Sequence, residues 1–149
     1  MKFKALKYRI YPNKIQQEYF AKEFGCNRFI YNYFLDSQIK KYAIDKTKYS
    51  KYDLQLELTK LKKNPEYIWL NEVNSQSLCN QAENLECAFT KFFKKQGGFP
   101  KFKSKKDNNK SFKVPQSAKL VNNKLKIPKI KEGIKIVLHR EIKGTIKSA

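Results

Sequence analysis

The sequence predicts an α+β protein in which one strand leads into about four helices and a set of short strands follows. Three observations carry this. Residues 3–11 alternate apolar and basic side chains; between residues 13 and 95 apolar residues recur at helical spacing; beyond residue 111 short apolar runs are punctuated by Asn, Pro and Gly. Between the halves lies a joint at residues 96–111, centred on Gln96-Gly97-Gly98-Phe99-Pro100-Lys101-Phe102-Lys103-Ser104-Lys105-Lys106. Its glycines free the backbone and Pro100 forbids helix, while Phe99 and Phe102 can anchor the segment or stack on bases.

In the opening strand Leu6, Tyr8 and Ile10 share one face and Lys7 and Arg9 the other, until Pro12 stops it. Asn13 followed by Gln16 is a capping box, and Ile15, Tyr19, Phe20 and Phe24 form a helical stripe that Gly25 is expected to end. A second helix then runs from Cys26 to about Asp45. Helix, glycine turn and helix satisfy a helix-turn-helix pattern, yet the second is aromatic on almost every side, which suits a core helix better than a groove reader. Ser50 and Asp53 cap a third helix carrying Leu54, Leu58 and Leu61 and ending at Asn64-Pro65, and Tyr67-Ile68-Trp69-Leu70 reads as a packing clasp. Asn74-Ser75 opens the clearest helix, with Leu78, Ala82, Leu85, Phe89, Phe92 and Phe93 in line. Ser75, Gln76, Cys79 and Asn80 then stand at its N-terminal end, where unpaired N–H groups favour phosphate. After the joint, Ser111–Val114 reads as a strand, Lys119–Ile127 as a hairpin turning at Asn122-Asn123, and Ile134–Leu138 as a further strand. Thr145-Ile146-Lys147 is expected to begin a strand that the end of the chain cuts off.

The 149 residues suffice for one core, burying roughly 70% of the unfolded surface. The net charge of +20 comes from 33 basic against 13 acidic residues, while a hydrophobic content of 40% is too high for a disordered basic tail. Lys, Asn, Ile and Tyr are all abundant, as a biased coding sequence would make them, but Glu has not kept pace. Such charge repels itself unless phosphates neutralise it, so the expected partner is nucleic acid. No apolar run approaches a membrane span and the N-terminus lacks a signal-peptide core, which predicts no membrane partner and a cytoplasmic protein. Cys26, Cys79 and Cys87 have neither the number for a disulfide framework nor the spacing for zinc, and read as helix-packing thiols. His139 is the single histidine, with no nucleophile beside it.

Seven stretches in order resemble the N-terminal part of the TnpB (OrfB) family of transposon-encoded, RNA-guided DNA endonucleases. They are Tyr8–Pro12, Phe24–Leu35, Tyr52–Leu54 with Leu58–Lys62, Trp69–Leu78, Asn84–Glu86 with Ala88-Phe89, Gly98–Lys105 and Leu125–Lys129. The resemblance spans essentially the whole chain. It implies a split β-barrel of the wedge type, oligonucleotide-binding-like, with an inserted helical bundle: residues 1–12 as first strand, 13–95 as helical recognition domain, 96–111 as joint and 112–149 as the remaining strands.

The partners it implies are a transposon-derived guide RNA and double-stranded DNA. RNA contacts would come from Lys7, Arg9, Lys101, Phe102, Lys103, Lys105 and Lys106. The target-adjacent duplex would lie near Tyr52, Ser75, Gln76, Cys79, Asn80 and Gln116. Family members often carry Gln where this chain has Cys79; a thiol cannot make the amide's two bonds to a base, and packing against a neighbouring helix is the other reading of it. The family's nuclease carboxylates and their Mg²⁺, and its Zn²⁺-binding insert, match nothing in this sequence, so no catalytic residue or cofactor carries over. The chain is expected to be inactive as an enzyme by itself. A free-standing RNA- or DNA-binding regulatory module without chemistry stands as the alternative, and oligomeric state is not legible.

Overall fold

The computed structural model describes residues 2–149. Strand β1 (Arg9–Tyr11) is followed by helix α1 (Lys14–Asp45), helix α2 (Lys51–Lys63), a 3₁₀ segment (Pro65–Glu72), helix α3 (Ser75–Phe93) and strands β2 (Lys119–Val121), β3 (Lys124–Lys126) and β4 (Ile134–Val137). Both capping boxes form. Asn13 and Ser50 each accept from the backbone three residues on, and the side chains of Gln16 and Asp53 reach back to the cap.

The opening of the chain departs from expectation at Gly25. α1 runs through it unbroken for 32 residues, and there is no turn between two helices there. A Cβ at Gly25 would meet only the Arg28 guanidinium, 4.0 Å away, so neither the backbone nor the packing needs a break. The helix ends instead at Lys46, which caps it in the left-handed conformation at φ 57°.

The expected split barrel is not what forms. The four strands make one open antiparallel sheet in the order β1-β4-β3-β2, with no closure. The strands are too short to curl around a barrel: β1 covers three residues rather than the whole of residues 3–11, and Ser111–Val114 is not a sheet strand. Val114 nevertheless exchanges both backbone hydrogen bonds with Ala149, at 2.7 and 3.0 Å, so the C-terminal segment does find an extended partner. The hairpin forms as read, with Asn122 and Asn123 at φ 52° and 58°, the two left-handed residues of a tight turn. Gly133 has a packing reason: a Cβ there would lie 2.6 Å from the Cβ of Lys124 on the adjacent strand.

Two apolar cores result. The helical core gathers Ile30, Phe34 and Leu35 of α1, Leu54, Leu58 and Leu61 of α2, Leu70 and Val73, and Leu78, Ala82 and Leu85 of α3. The smaller core, of Val114, Ala118, Ile127 and Ile134, lies under the sheet. α1 belongs to both, because Phe20 and Phe24 each meet the ring of Phe112 edge-on at 5.6 Å. Gln16 adds two bonds from its amide to the carbonyls of Glu132 and Gly133, which fix the start of α1 against the approach to β4.

Candidate nucleic-acid interface

The sheet has one covered and one open face. Ile10, Leu120, Leu125, Ile134 and Ile136 turn towards the protein, and the alternation of a pleated strand sends Arg9, Tyr11, Lys119, Val121, Lys124, Lys126, Lys135 and Val137 outward. Five of these eight are basic and none is acidic. The register sharpens the point: Lys119 lies opposite Lys126, and Lys124 opposite Lys135. Like charges directly opposed across strands destabilise a sheet. Tyr11, about half exposed, stands among them with the Arg9 guanidinium 5.7 Å and the Lys135 ammonium 5.8 Å from its ring centre. Among the described residues the ion pairs are Lys22–Glu72, Lys40–Asp36, Lys41–Asp45 and Lys60–Glu57, all on the helical part of the chain, so no ion pair offsets the charge of the sheet face.

The joint runs along the helices and is pinned at three places. Phe99 sets its ring edge-on to Phe89 and Phe92, at 5.6 and 5.3 Å, and Pro100 is buried. The Asn32 amide on α1 donates to the Lys103 carbonyl at 2.9 Å and accepts from the Lys103 N–H at 2.7 Å, as a neighbouring strand would. The Lys103 ammonium rests 4.2 Å from the ring centre of Tyr31, and loss of hydration pulls its pKa below the usual lysine value. Both phenylalanines keep about half of their surface exposed, 47% for Phe99 and 54% for Phe102, but Phe99 is the one set on the rings of Phe89 and Phe92; Lys101, Lys103, Lys105 and Lys106 are exposed.

At the start of α3, Asn74 caps the helix by accepting from the Gln76 N–H at 3.0 Å. Gln76 is exposed on the first turn, Ser75 and Cys79 are half-buried, and Asn80 is buried with its amide towards Asn84. Burial raises the Cys79 thiol above its usual pKa, and its side chain packs against the helical core. Tyr52, in the first turn of α2, is exposed, and Gln116 is exposed beyond the joint. Lys7 is exposed in the segment ahead of β1. Of the expected thiols Cys26 is buried in the core, but Cys87 is exposed.

Sequence reasoning missed a buried polar spine that positions this helix end. Glu23 is fully buried and accepts from the Tyr19 hydroxyl at 2.7 Å, the Asn27 amide at 2.9 Å and the Asn74 N–H at 3.3 Å. Gln81 donates to Asn27 at 2.7 Å and accepts from Asn84 at 3.3 Å. A carboxylate at the N-terminus of a 19-residue helix answers its unpaired donors and its dipole from inside the protein. The signal was available: Glu23 falls in line with Phe20, Asn27, Ile30 and Phe34, on the face that faces inward. Among the described residues no group of three or more His, Cys, Asp or Glu is placed to hold a metal ion. Among the described residues no helix is long and apolar enough to cross a membrane.

A family model described as a helix-turn-helix domain, of the OrfB group, matches residues 1–47, the part of the chain that here holds β1 and the unbroken α1. A protein of Streptomyces pristinaespiralis named "Putative RNA-guided DNA endonuclease" is 33% identical over 115 residues, covering 77% of this chain and 29% of the relative. A protein of Escherichia coli K12 named "Putative RNA-guided DNA endonuclease InsQ" is 29% identical over 150 residues, covering 99% of this chain and 37% of the relative. The chain thus spans about a third of the length of these curated relatives, and by these matches it belongs with the N-terminal part of the TnpB/OrfB family.

Proposed function

We propose that this chain is a nucleic-acid-binding unit of a transposon-associated, RNA-guided DNA endonuclease, gripping guide RNA with the outer face of its sheet and with the joint. The observation that carries the reading is the pair of lysine-on-lysine registers on an exposed face whose outward strand residues include no acid. That arrangement costs the isolated protein stability and is relieved when phosphates lie across it. Tyr11 and Phe102 offer exposed rings on which bases can stack beside the cations. The target-adjacent duplex is assigned to the start of α3, where the exposed Gln76 amide can pair with adenine N6 and N7, with Ser75, Cys79, Asn80, Tyr52 and Gln116 around it.

The test is the salt dependence of binding to a structured RNA. Replacing Lys119, Lys124, Lys126 and Lys135 together by Thr, which keeps strand propensity, should flatten the log–log salt slope by about three units, at ~0.7–0.9 per phosphate. An unchanged slope would remove the sheet face from the interface. For the duplex arm, a binding selection on randomised DNA compares the RNA-loaded wild type with Cys79→Gln. A narrower base preference in the variant is expected, and identical preferences would take this helix end out of the reading surface.

A further inference from the structure

A second feature lies away from the sheet, between the middle of α1, the first half of α3 and the loop at residues 103–111. It is a cleft of about 400 Å³ lined by Phe24, Asn27, Arg28, Gln81, Lys103 and Lys110, with Asp107 and the two asparagines after it along the loop side. The volume suits a small ligand rather than a groove-spanning duplex. Its chemistry is specific. The Arg28 guanidinium is half-buried and has neither an ion pair nor a hydrogen bond among the described residues. Asp107 is the one acid of the lining, and its carboxylate is held within the loop, accepting from the Ser104 N–H at 2.9 Å. Asn27 and Gln81 are buried and fixed by their bond to each other, which leaves one N–H of the Gln81 amide unspent. Phe24 contributes an aromatic wall, steadied edge-on by Phe112.

We propose that this cleft takes one unpaired nucleotide of a bound strand, its phosphate against Arg28 and Lys110 and its base against Phe24 and the free N–H of Gln81. The three cations outnumber the single acid, a planar guanidinium suits phosphate bidentately, and a ring beside the one free amide N–H, that of Gln81, suits a flipped base. A duplex cannot place a base in this cleft without unpairing it, so the site selects single-stranded segments. The inference rests on the nucleic-acid reading above but concerns a different surface.

The experiment uses the full chain with a pentanucleotide carrying a central 2-aminopurine, in ribose and deoxyribose forms, and a fully paired RNA duplex. Quenching of the 2-aminopurine by the wild type is expected. Arg28→Gln and, separately, Lys110→Ala on the exposed loop should each weaken pentanucleotide binding at least about tenfold and leave duplex binding unchanged, as loss of a charged hydrogen bond predicts. Thermal melts establish that both variants fold, and Lys110→Ala decides the matter if Arg28→Gln does not. Equal losses for pentanucleotide and duplex, or no loss for either, overturn the cleft while leaving the sheet-face reading intact. Failure of the wild type to bind any of the three probes overturns both. A preference for one sugar would show whether the strand is RNA or DNA.

Discussion

Glu23 shows how much of this protein rests on single polar residues. Among the described residues its carboxylate has no cation partner; it is satisfied by a hydroxyl, an amide and a backbone N–H, donors converging on both oxygens. Glu23→Gln keeps the shape but turns an NH₂ group towards those donors, so it should cost about 1–3 kcal/mol, measured by urea denaturation, and wild-type stability in Glu23→Gln would mean the spine is rearranged. The same neighbourhood gives a pH dependence. Burial first, and then the charge of Glu23, pushes the Cys26 thiol from 9.0 to about 11. Its folded pKa is raised, so the stability it contributes is fully present below pH 9 and is lost as pH rises through about 11. Tyr19, Tyr31 and Tyr33 are raised too, chiefly by burial, and add to the loss at higher pH. Melting temperature should therefore fall from pH 9 upward, and more gently in Cys26→Ala than in wild type between pH 9 and 11.

At the scale of elements, what was legible in the sequence was what is local. Both capping boxes, the end of α2 before Pro65 and the Asn122-Asn123 turn depend on residues a few positions apart, and each forms. Gly25 was misleading because a glycine stop and a tolerated mid-helix glycine look alike until the packing around them is known; here the cores on either side hold α1 continuous. Gly25→Ala should accordingly stabilise the protein by about 0.5–1 kcal/mol in thermal melts, and a loss would point to a requirement for glycine that the open space around it does not explain. The barrel was misread because closure is a property of long-range pairing, which no single strand encodes. The joint lies between these cases: its phenylalanines were visible, but only the structure shows that Phe99 is the one packed against the rings of Phe89 and Phe92. It also shows the Lys103 ammonium resting on the Tyr31 ring, so that replacing Lys101, Lys105 and Lys106 by Ala should flatten the salt slope of RNA binding by about two units, ~0.7–0.9 each, and adding Lys103→Ala should change it less than a fourth free lysine would.

For the molecule as a whole, the charge that the sequence advertises is distributed unevenly in its consequences. The helices carry the ion pairs, and there surface attraction is worth little. The sheet carries opposed lysines over the smaller of the two cores, the part of the protein with the least apolar burial to offset repulsion. Function and stability should then pull in opposite directions on that face. Lys124→Thr with Lys126→Thr removes one lysine from each opposed pair while keeping strand propensity, so the free protein should gain a few tenths of a kcal/mol per pair at low salt, and the gain should shrink as salt screens the wild type. The same variant should bind structured RNA more weakly. Melting temperatures of free wild type and variant across a salt series, set beside RNA affinities under the same conditions, distinguish the alternatives. Lower stability at every salt concentration would mean that the lysine stems hold the sheet together by packing and that the opposed charges are incidental, whereas higher stability with weaker binding marks the face as kept basic for the polyanion it meets.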